Sequence, residues 1–418
     1  LFRQAGVIRA ETVEELVDVA ALLSTQPLPA GRNVAIVTNA GGLGILCADA
    51  CEGAGLELVP LREETRAALT EVAPPEASLQ NPVDLLGSAT AETYSRALPH
   101  IVADDGVDAV IVLFVPAAQV TADDVAAAVR ETQGGSASKP IVPVFIAAEM
   151  PAGSFTYPES AARALGRAAE RADWLRRPAG SVPPVDVDRE AAAEVVGRAL
   201  ERSNDVWLAG PEIRRLLDAY GIALVPERFV AGPENAVEAA TELGFPVVVK
   251  TAEAGAHKTE TGGVLLDLKD ADAVRAAAHA IGGSLLVQPM IGEGVELLAG
   301  IVQDPVFGPL VAFGPGGIYA ELIGDAGFRI APLTDVDADE LVRGGKAGRL
   351  VAGFRGRPAA DAAALVDLLH RLSRLGEDFP EVAELDLNPV AGLASGCLAL
   401  DARVRVGQVE RGRRLKTW

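Results

Sequence analysis

Lys250 closes a run of valines, and the loop after it carries His257, Lys258 and Thr259 into Gly262 and Gly263 before a second apolar run ending at Leu268 (PVVVKTAEAGAHKTETGGVLLDL from Pro246). A lysine at the end of a buried strand beside a glycine loop places one cation and several backbone N–H groups around a polyphosphate. A histidine on the same loop adds a nitrogen nucleophile able to accept a phosphoryl group. Phosphoryl chemistry at a nucleotide is the first reading.

Other residues of the same half fit that reading. Gln288-Pro289-Met290 follows an apolar strand, where a backbone segment can read the edge of an adenine. Glu296 and Glu321 lie near glycine-rich turns, within the range of a ribose or a metal. Asp386 and Asn388 are two apart, so both point to one face of their strand. Asp401 is expected on the next strand, where antiparallel pairing brings it opposite them. Two carboxylates and an amide oxygen make a hard-oxygen patch suited to Mg²⁺ held jointly with nucleotide phosphates. Each residue has a plainer alternative: a surface charge for Lys250, a capping group for Gln288, a solvated acidic face for the aspartates. The flanking Leu385, Leu387 and Leu400 favour the metal, because buried carboxylates without a cation are costly.

In the first half, Thr38-Asn39-Ala40-Gly41-Gly42-Leu43-Gly44 joins a buried strand to a helix. Free N–H groups and the positive helix end make an anion site there, with Asn39, Gly41, Gly42 and Gly44 as candidates. Asn81-Pro82-Val83-Asp84-Leu85-Leu86-Gly87 is a polar interruption that can reach the same pocket at the carboxyl ends of the strands. Of the four histidines, His100, His279 and His370 lie on helical patterns and read as half-buried structural groups. Cys47 and Cys51, one helical turn apart with no further ligands nearby, read as buried helix cysteines.

The elements that must position these groups fall into two patterns. From Asn33 onward short apolar runs (NVAIVT, LELV, VDAVIVLFV, KPIVPVF) alternate with helices over Gly41–Glu52, Arg62–Val72, Thr121–Thr132 and Tyr157–Asp173. That alternation means a parallel sheet covered on both faces, flavodoxin-like or Rossmann-like. Arg176–Asp188 is a Pro-rich linker. The second module is α+β with mainly antiparallel strands, including a hairpin of VELLAGIVQD and PLVAFG and a terminal pair, VAELDLNPV and CLALDARV.

The chain's 418 residues call for two or three domains. With 49% hydrophobic and 23% charged residues it is globular, and no apolar run is long enough for a membrane span. A net charge of −21 argues against a nucleic-acid partner. Three cysteines make no disulfide framework, which fits a cytoplasmic protein. The chain opens on Leu1, with Phe2–Ala10 reading as the end of a helix and a short strand, and Thr12 and Glu15 as a capping box for a helix through Leu23. Such a start reads as a piece whose upstream part is missing.

These motifs resemble the nucleoside-diphosphate-forming acyl-CoA synthetases, relatives of succinyl-CoA synthetase. The Pro246–Leu268 segment resembles the family's ATP-grasp loop, LLVQPMIGEGVELLAGIVQDPVFGPLVAFGPGG its hinge and hairpin, and ELDLNPV with LALDARV its metal-binding strands. VAIVTNAGGLGILCADACEGAGLEL and NPVDLLG resemble its flavodoxin-like CoA-ligase domain. The resemblance implies a remnant of a truncated domain over 1–27, a CoA-ligase domain over 28–177, a linker and helix over 178–204, an ATP-grasp domain over 205–410 and a tail over 411–418. It also implies Lys250 on the nucleotide phosphates, Mg²⁺ on Asp386, Asn388 and Asp401, and His257 as a transiently phosphorylated histidine. The glycine turn at 40–44 would face the phosphorylated intermediate. The implied reaction is acyl-CoA + ADP + phosphate ⇌ carboxylic acid + CoA + ATP, with ATP/ADP, CoA and a small carboxylic acid as ligands.

The sequence departs from the family in one respect. The CoA-binding domain and the principal histidine loop that precede these segments are absent, so a missing segment or partner subunit is expected to complete the cycle, and self-association is left open. A second reading is a metabolite-sensing, synthetase-like module of a protein lysine acetyltransferase. A third, a carboxylate–amine ligase of the ATP-grasp type, does not explain the first module.

Overall fold

The structure is a computed structural model that describes residues 1–116, 120–135, 138–146, 151, 153–252, 263–292, 294–317, 325–354 and 358–407. The chain forms two compact units, one over Phe2–Arg177 and one beginning at Pro178.

In the first unit the order is α1 (Val13–Thr25), β1 (Asn33–Thr38), α2 (Gly41–Gly53), β2 (Glu57–Leu58), α3 (Glu63–Thr70), β3 (Val83–Asp84), α4 (Ala91–Val102), β4 (Ala109–Phe114), α5 (Ala122–Gly135), β5 (Ile141–Phe145) and α6 (Pro158–Arg176). The strands are parallel in the order β2-β1-β4-β5, with β3 pairing at the Val37–Thr38 end of β1. β1, β4 and β5 are almost entirely buried, as expected of strands covered on both faces. Ala35, Val37, Val110 and Val112 pack on one side with α3, α4 and α5, and Val34, Ile36, Ile111 and Val142 on the other with α1, α2 and α6.

The start of the chain differs from its sequence reading. Phe2–Gly6 is a turn and no strand follows. Gly6 adopts the left-handed conformation, and its carbonyl accepts a hydrogen bond from Arg171 at 2.8 Å. Thr12 does cap α1 by accepting from the Glu15 N–H, but the Glu15 carboxylate does not return the bond. It accepts instead from the Glu11 N–H, one residue earlier, at 2.7 Å and from Arg167 on α6 at 2.9 Å. α1 buries Val19 and Leu22 in the core of the first unit.

The second unit runs α7 (Arg189–Arg202), β6 (Asp205–Trp207), α8 (Gly210–Ala219), β7 (Arg228–Ala231), α9 (Pro233–Leu243), β8 (Val247–Thr251), β9 (Val264–Leu268), α10 (Ala271–Ile281), β10 (Ser284–Pro289), β11 (Val295–Asp304), β12 (Gly308–Pro315), β13 (Gly327–Ile330), α11 (Asp335–Arg343), α12 (Gly345–Val351), α13 (Ala362–Asp378), β14 (Val382–Gly392), β15 (Cys397–Ala399) and β16 (Ala402–Gly407). Two antiparallel sheets result. The smaller has the order β7-β10-β8-β9 and packs Val247, Val249, Leu285 and Val287 against α9 and α10. The larger has the order β13-β12-β11-β14-β16-β6, with β15 on β14. Its helix-covered face carries Leu297, Ala299, Ile301, Leu385, Leu387, Val404 and Val406, packed against Leu365, Leu369 and Leu372 of α13.

Two departures matter for the site. The terminal strand read as one, CLALDARV, is broken into β15 and β16, and Asp401 lies in the break. β6, which no sequence pattern announced, adds an outer strand through Arg405↔Trp207 and Val406↔Val206.

Candidate functional site

β8 has one face on the helices, and alternation turns Val248 and Lys250 to the other. Lys250 is only 8% exposed, a costly position for an ammonium unless its donors are used. Its Nζ donates to the Leu400 carbonyl at 2.9 Å, and the Leu400 N–H donates to the Pro389 carbonyl at 2.9 Å. The lysine of the smaller sheet is thus tied to the turn that precedes Asp401 and abuts Asn388-Pro389.

β14 brings the other members. Leu385 and Leu387 face the core, so Asp386 and Asn388 share the opposite face. Between Leu297↔Val390 and Ala299↔Leu387 the register shifts, with β14 holding one residue more than β11. This bulge at Asn388-Pro389 keeps Val390 in the core while Asn388 stays outside it. The Asn388 Oδ1 accepts from the Gly317 N–H at 3.0 Å. Glu296 is exposed and stands directly against Gly317, where a Cβ would fall 1.9 Å from its Oε2; Gly317 also has φ +72°, so only glycine fits.

Burial pushes the Asp386 carboxyl up to about 6, Arg403 opposes that rise, and Glu384 and Asp401 add to it. A half-buried carboxylate with like-charged neighbours is a site that gains from a cation. Among the described residues no three His, Cys, Asp or Glu side chains cluster as a metal site. A cation here therefore needs the Asn388 amide oxygen and oxygens from the nucleotide beside Asp386 and Asp401. That hard-oxygen donor set fits Mg²⁺, which commonly shares substrate phosphates.

Two nucleotide candidates are committed elsewhere. Gln288, 3% exposed, donates from Nε2 to Glu227 at 3.0 Å, and Glu227 in turn accepts from Arg214 at 3.1 Å. The Met290 N–H donates to the Pro246 carbonyl at 2.9 Å, so that donor is taken. The Gly263 carbonyl accepts from the Thr251 N–H at 2.8 Å, joining the end of β8 to the residue before β9. His257, Gly262 and Glu321 lie outside the described residues.

In the first unit the glycine turn is narrower than expected. The Asn39 side chain is used within the unit: its amide donates to the Val115 carbonyl at 2.8 Å and accepts from the Val115 N–H at 2.9 Å, clamping β1 to the end of β4. Gly44 is a packing glycine, with a Cβ there meeting Thr38 and Pro82, and its N–H returns to Ala40. Gly41 and Gly42 remain, their N–H groups without acceptors among the described residues at the start of α2. NPVDLLG does reach this turn. Asn81 bridges Val34 and Ile36 of β1 to Val59, one residue past β2, and the Asp84 carboxylate lies beside Gly41. Of the histidines, His370 is buried at 7% exposure, whereas His100 and His279 are exposed, because their helices turn those positions to solvent. Cys47 and Cys51 are fully buried.

The sequence reading missed Trp207, Arg403 and Glu227 as neighbours of these sites, whereas Asp84 lies in NPVDLLG, which it singled out as a polar break among apolar runs.

Comparison with known proteins follows the same division. The ATP-grasp domain model matches residues 198–406 and the Ligase-CoA domain model residues 34–153. The chain is 38% identical over 97% of its length to an acetate–CoA ligase [ADP-forming] I of Archaeoglobus fulgidus, of which it covers 61%. Over 52% of its length it is 33% identical to the beta subunit of acetate–CoA ligase [ADP-forming] I of Pyrococcus furiosus, covering 99% of that subunit. Over 35% of its length it is 41% identical to the alpha subunit of that organism's ligase II, covering 32% of it. The chain thus spans about three-fifths of the length of that Archaeoglobus relative. With an ATP-grasp unit matched across a whole beta subunit and a Ligase-CoA unit ahead of it, the chain belongs to the family of ADP-forming acyl-CoA ligases.

Proposed function

We propose that this chain carries the nucleotide half of an ADP-forming acyl-CoA synthetase: ATP binds in the second unit and its γ-phosphoryl group passes to an imidazole nitrogen of His257, with ADP leaving. The supporting observation is the Lys250–Leu400 contact, which brings a buried cation of one sheet onto the oxygen-rich turn of the other across 150 residues of sequence. Asp386, Asn388 and Asp401 are the residues that would hold Mg²⁺, which when bound neutralises charge on the transferring phosphoryl group. Lys250 supplies a fixed charge to the phosphate oxygens. His257 lies on the segment between β8 and β9, which starts one residue after Thr251, so the acceptor and the lysine share one short stretch of chain.

The Gly41 and Gly42 N–H groups give the first unit an anion site of its own, which we assign to the phosphate of the later intermediate. The overall reaction, acyl-CoA + ADP + phosphate ⇌ carboxylic acid + CoA + ATP, then needs a CoA-binding segment or partner subunit besides this chain. An alpha-subunit relative of which only 32% is matched here supports that requirement. The acetyltransferase-linked sensor has no such support, since the relatives above are ligases.

Purified chain with Mg²⁺ and γ-labelled ATP is expected to take up an acid-labile, base-stable label that His257→Ala abolishes and Lys250→Met slows at least about tenfold. Equal labelling of His257→Ala would falsify the assignment.

A further inference from the structure

The face of the larger sheet that carries Asp386 and Asn388 continues onto β16 and β6 as a ladder of charges. Glu384 lies opposite Arg405 and pairs with it at 3.5 Å, and Arg405 reaches Asp205 at 3.3 Å. One rung nearer the Asp401 turn, Asp386 lies opposite Arg403, and the Arg403 guanidinium sits 4.8 Å from the centre of the Trp207 ring. The outer rung is a surface ion-pair row. The inner rung sets a half-buried carboxylate opposite an arginine whose guanidinium lies over an indole, two residues along the chain from Asp401.

A guanidinium stacked on indole is attracted to the ring face and loses the freedom to swing into solvent. Its charge therefore stays beside Asp386. A divalent cation entering between Asp386 and Asp401 meets that charge. At an effective dielectric constant near 20 and separations of several ångströms, the repulsion outweighs a tenfold change in affinity. Nucleotide phosphates bring the negative charge that cancels it.

We propose that Arg403, held by Trp207, is a positioning residue that makes the metal site conditional on nucleotide. It aims and neutralises Asp386 in the nucleotide-free protein, keeps a lone divalent cation weakly bound, and has its charge offset by the phosphates when cation and nucleotide enter together. The proposal rests on the metal assignment above, and the test separates the two.

Mn²⁺ is titrated into the full chain, with free Mn²⁺ read by electron paramagnetic resonance, without nucleotide and with ADP. Arg403→Met is expected to bind Mn²⁺ alone roughly tenfold more tightly than the unsubstituted chain and to gain less from ADP. Arg403→Lys, which restores the charge, returns Mn²⁺ alone to weak binding. Equal affinity of Arg403→Met and the unsubstituted chain for Mn²⁺ alone overturns the proposal. Should Arg403→Met fail to fold, Trp207→Leu carries the same test. Releasing the guanidinium tightens Mn²⁺ alone several-fold, and no change refutes the idea. Asp401→Asn reports on the metal site itself: Mn²⁺–ADP binding that survives it unaltered removes the metal assignment, whatever Arg403 does.

Discussion

Single side chains here owe their roles to what surrounds them, and the histidines show it. His370 lies on α13 among Leu368, Leu369 and Leu372, and burial holds its imidazole below the usual histidine range, while Asp367 and Asp335 pull the other way. The unfolded chain therefore takes up this proton first. Stability is full above the unfolded value near 6.5 and is lost as pH falls through it, because the unfolded state then binds more protons. In urea unfolding the unsubstituted chain is expected to lose more stability than His370→Gln between pH 7.5 and pH 5.5. Parallel losses for the two proteins would mean that this imidazole titrates alike folded and unfolded.

Among the elements, α1 is the informative one, since its sequence suggested a remnant of something else. Its inner face, Val19 and Leu22, packs into the core beside β1 and α6, and Glu15 joins it to Arg167. Leu22, 3% exposed, leaves a cavity when truncated. Leu22→Ala is expected to cost the first unit about 2–4 kcal/mol, read as a lower denaturation midpoint. A loss within about 0.5 kcal/mol, the range of an ordinary surface substitution, would show that α1 is only draped on the unit. The outer face of the same helix leaves Val13, Leu16 and Val17 more than half exposed.

For the chain as a whole, each unit has its own cores: two flanking the parallel sheet of the first, and one against each antiparallel sheet of the second. Two cooperative transitions are expected in calorimetry. Lys250, Asp386, Asn388 and Asp401 all belong to the unit that begins at Pro178. Mg²⁺–ADP at about a hundred times its dissociation constant stabilises whatever binds it by about 2.7 kcal/mol, and that gain belongs to the second unit's transition alone. A ligand that raised the first unit's transition by as much would place the nucleotide site elsewhere.

Much of this was readable before any coordinates. The alternation of short apolar runs with helices announced the parallel sheet, and the two-residue spacing of Asp386 and Asn388 put them on one face, because periodicity depends only on near neighbours along the chain. Lys250 beside a glycine loop, the glycine turn after β1 and the apolar residues around the aspartates were local signals as well. Which groups stay available to a ligand was settled by folding. Asn39 is taken by Val115, 76 residues away, Gln288 by Glu227, 61 away, and Lys250 is delivered to Leu400, 150 away. The break that leaves Asp401 between two strands, and the outer strand that sets Trp207 under Arg403, likewise come from pairing with distant backbone. Hydrogen bonds and ion pairs act over a few ångströms of space whatever the separation in sequence, so their partners become known only when the sheets are assembled.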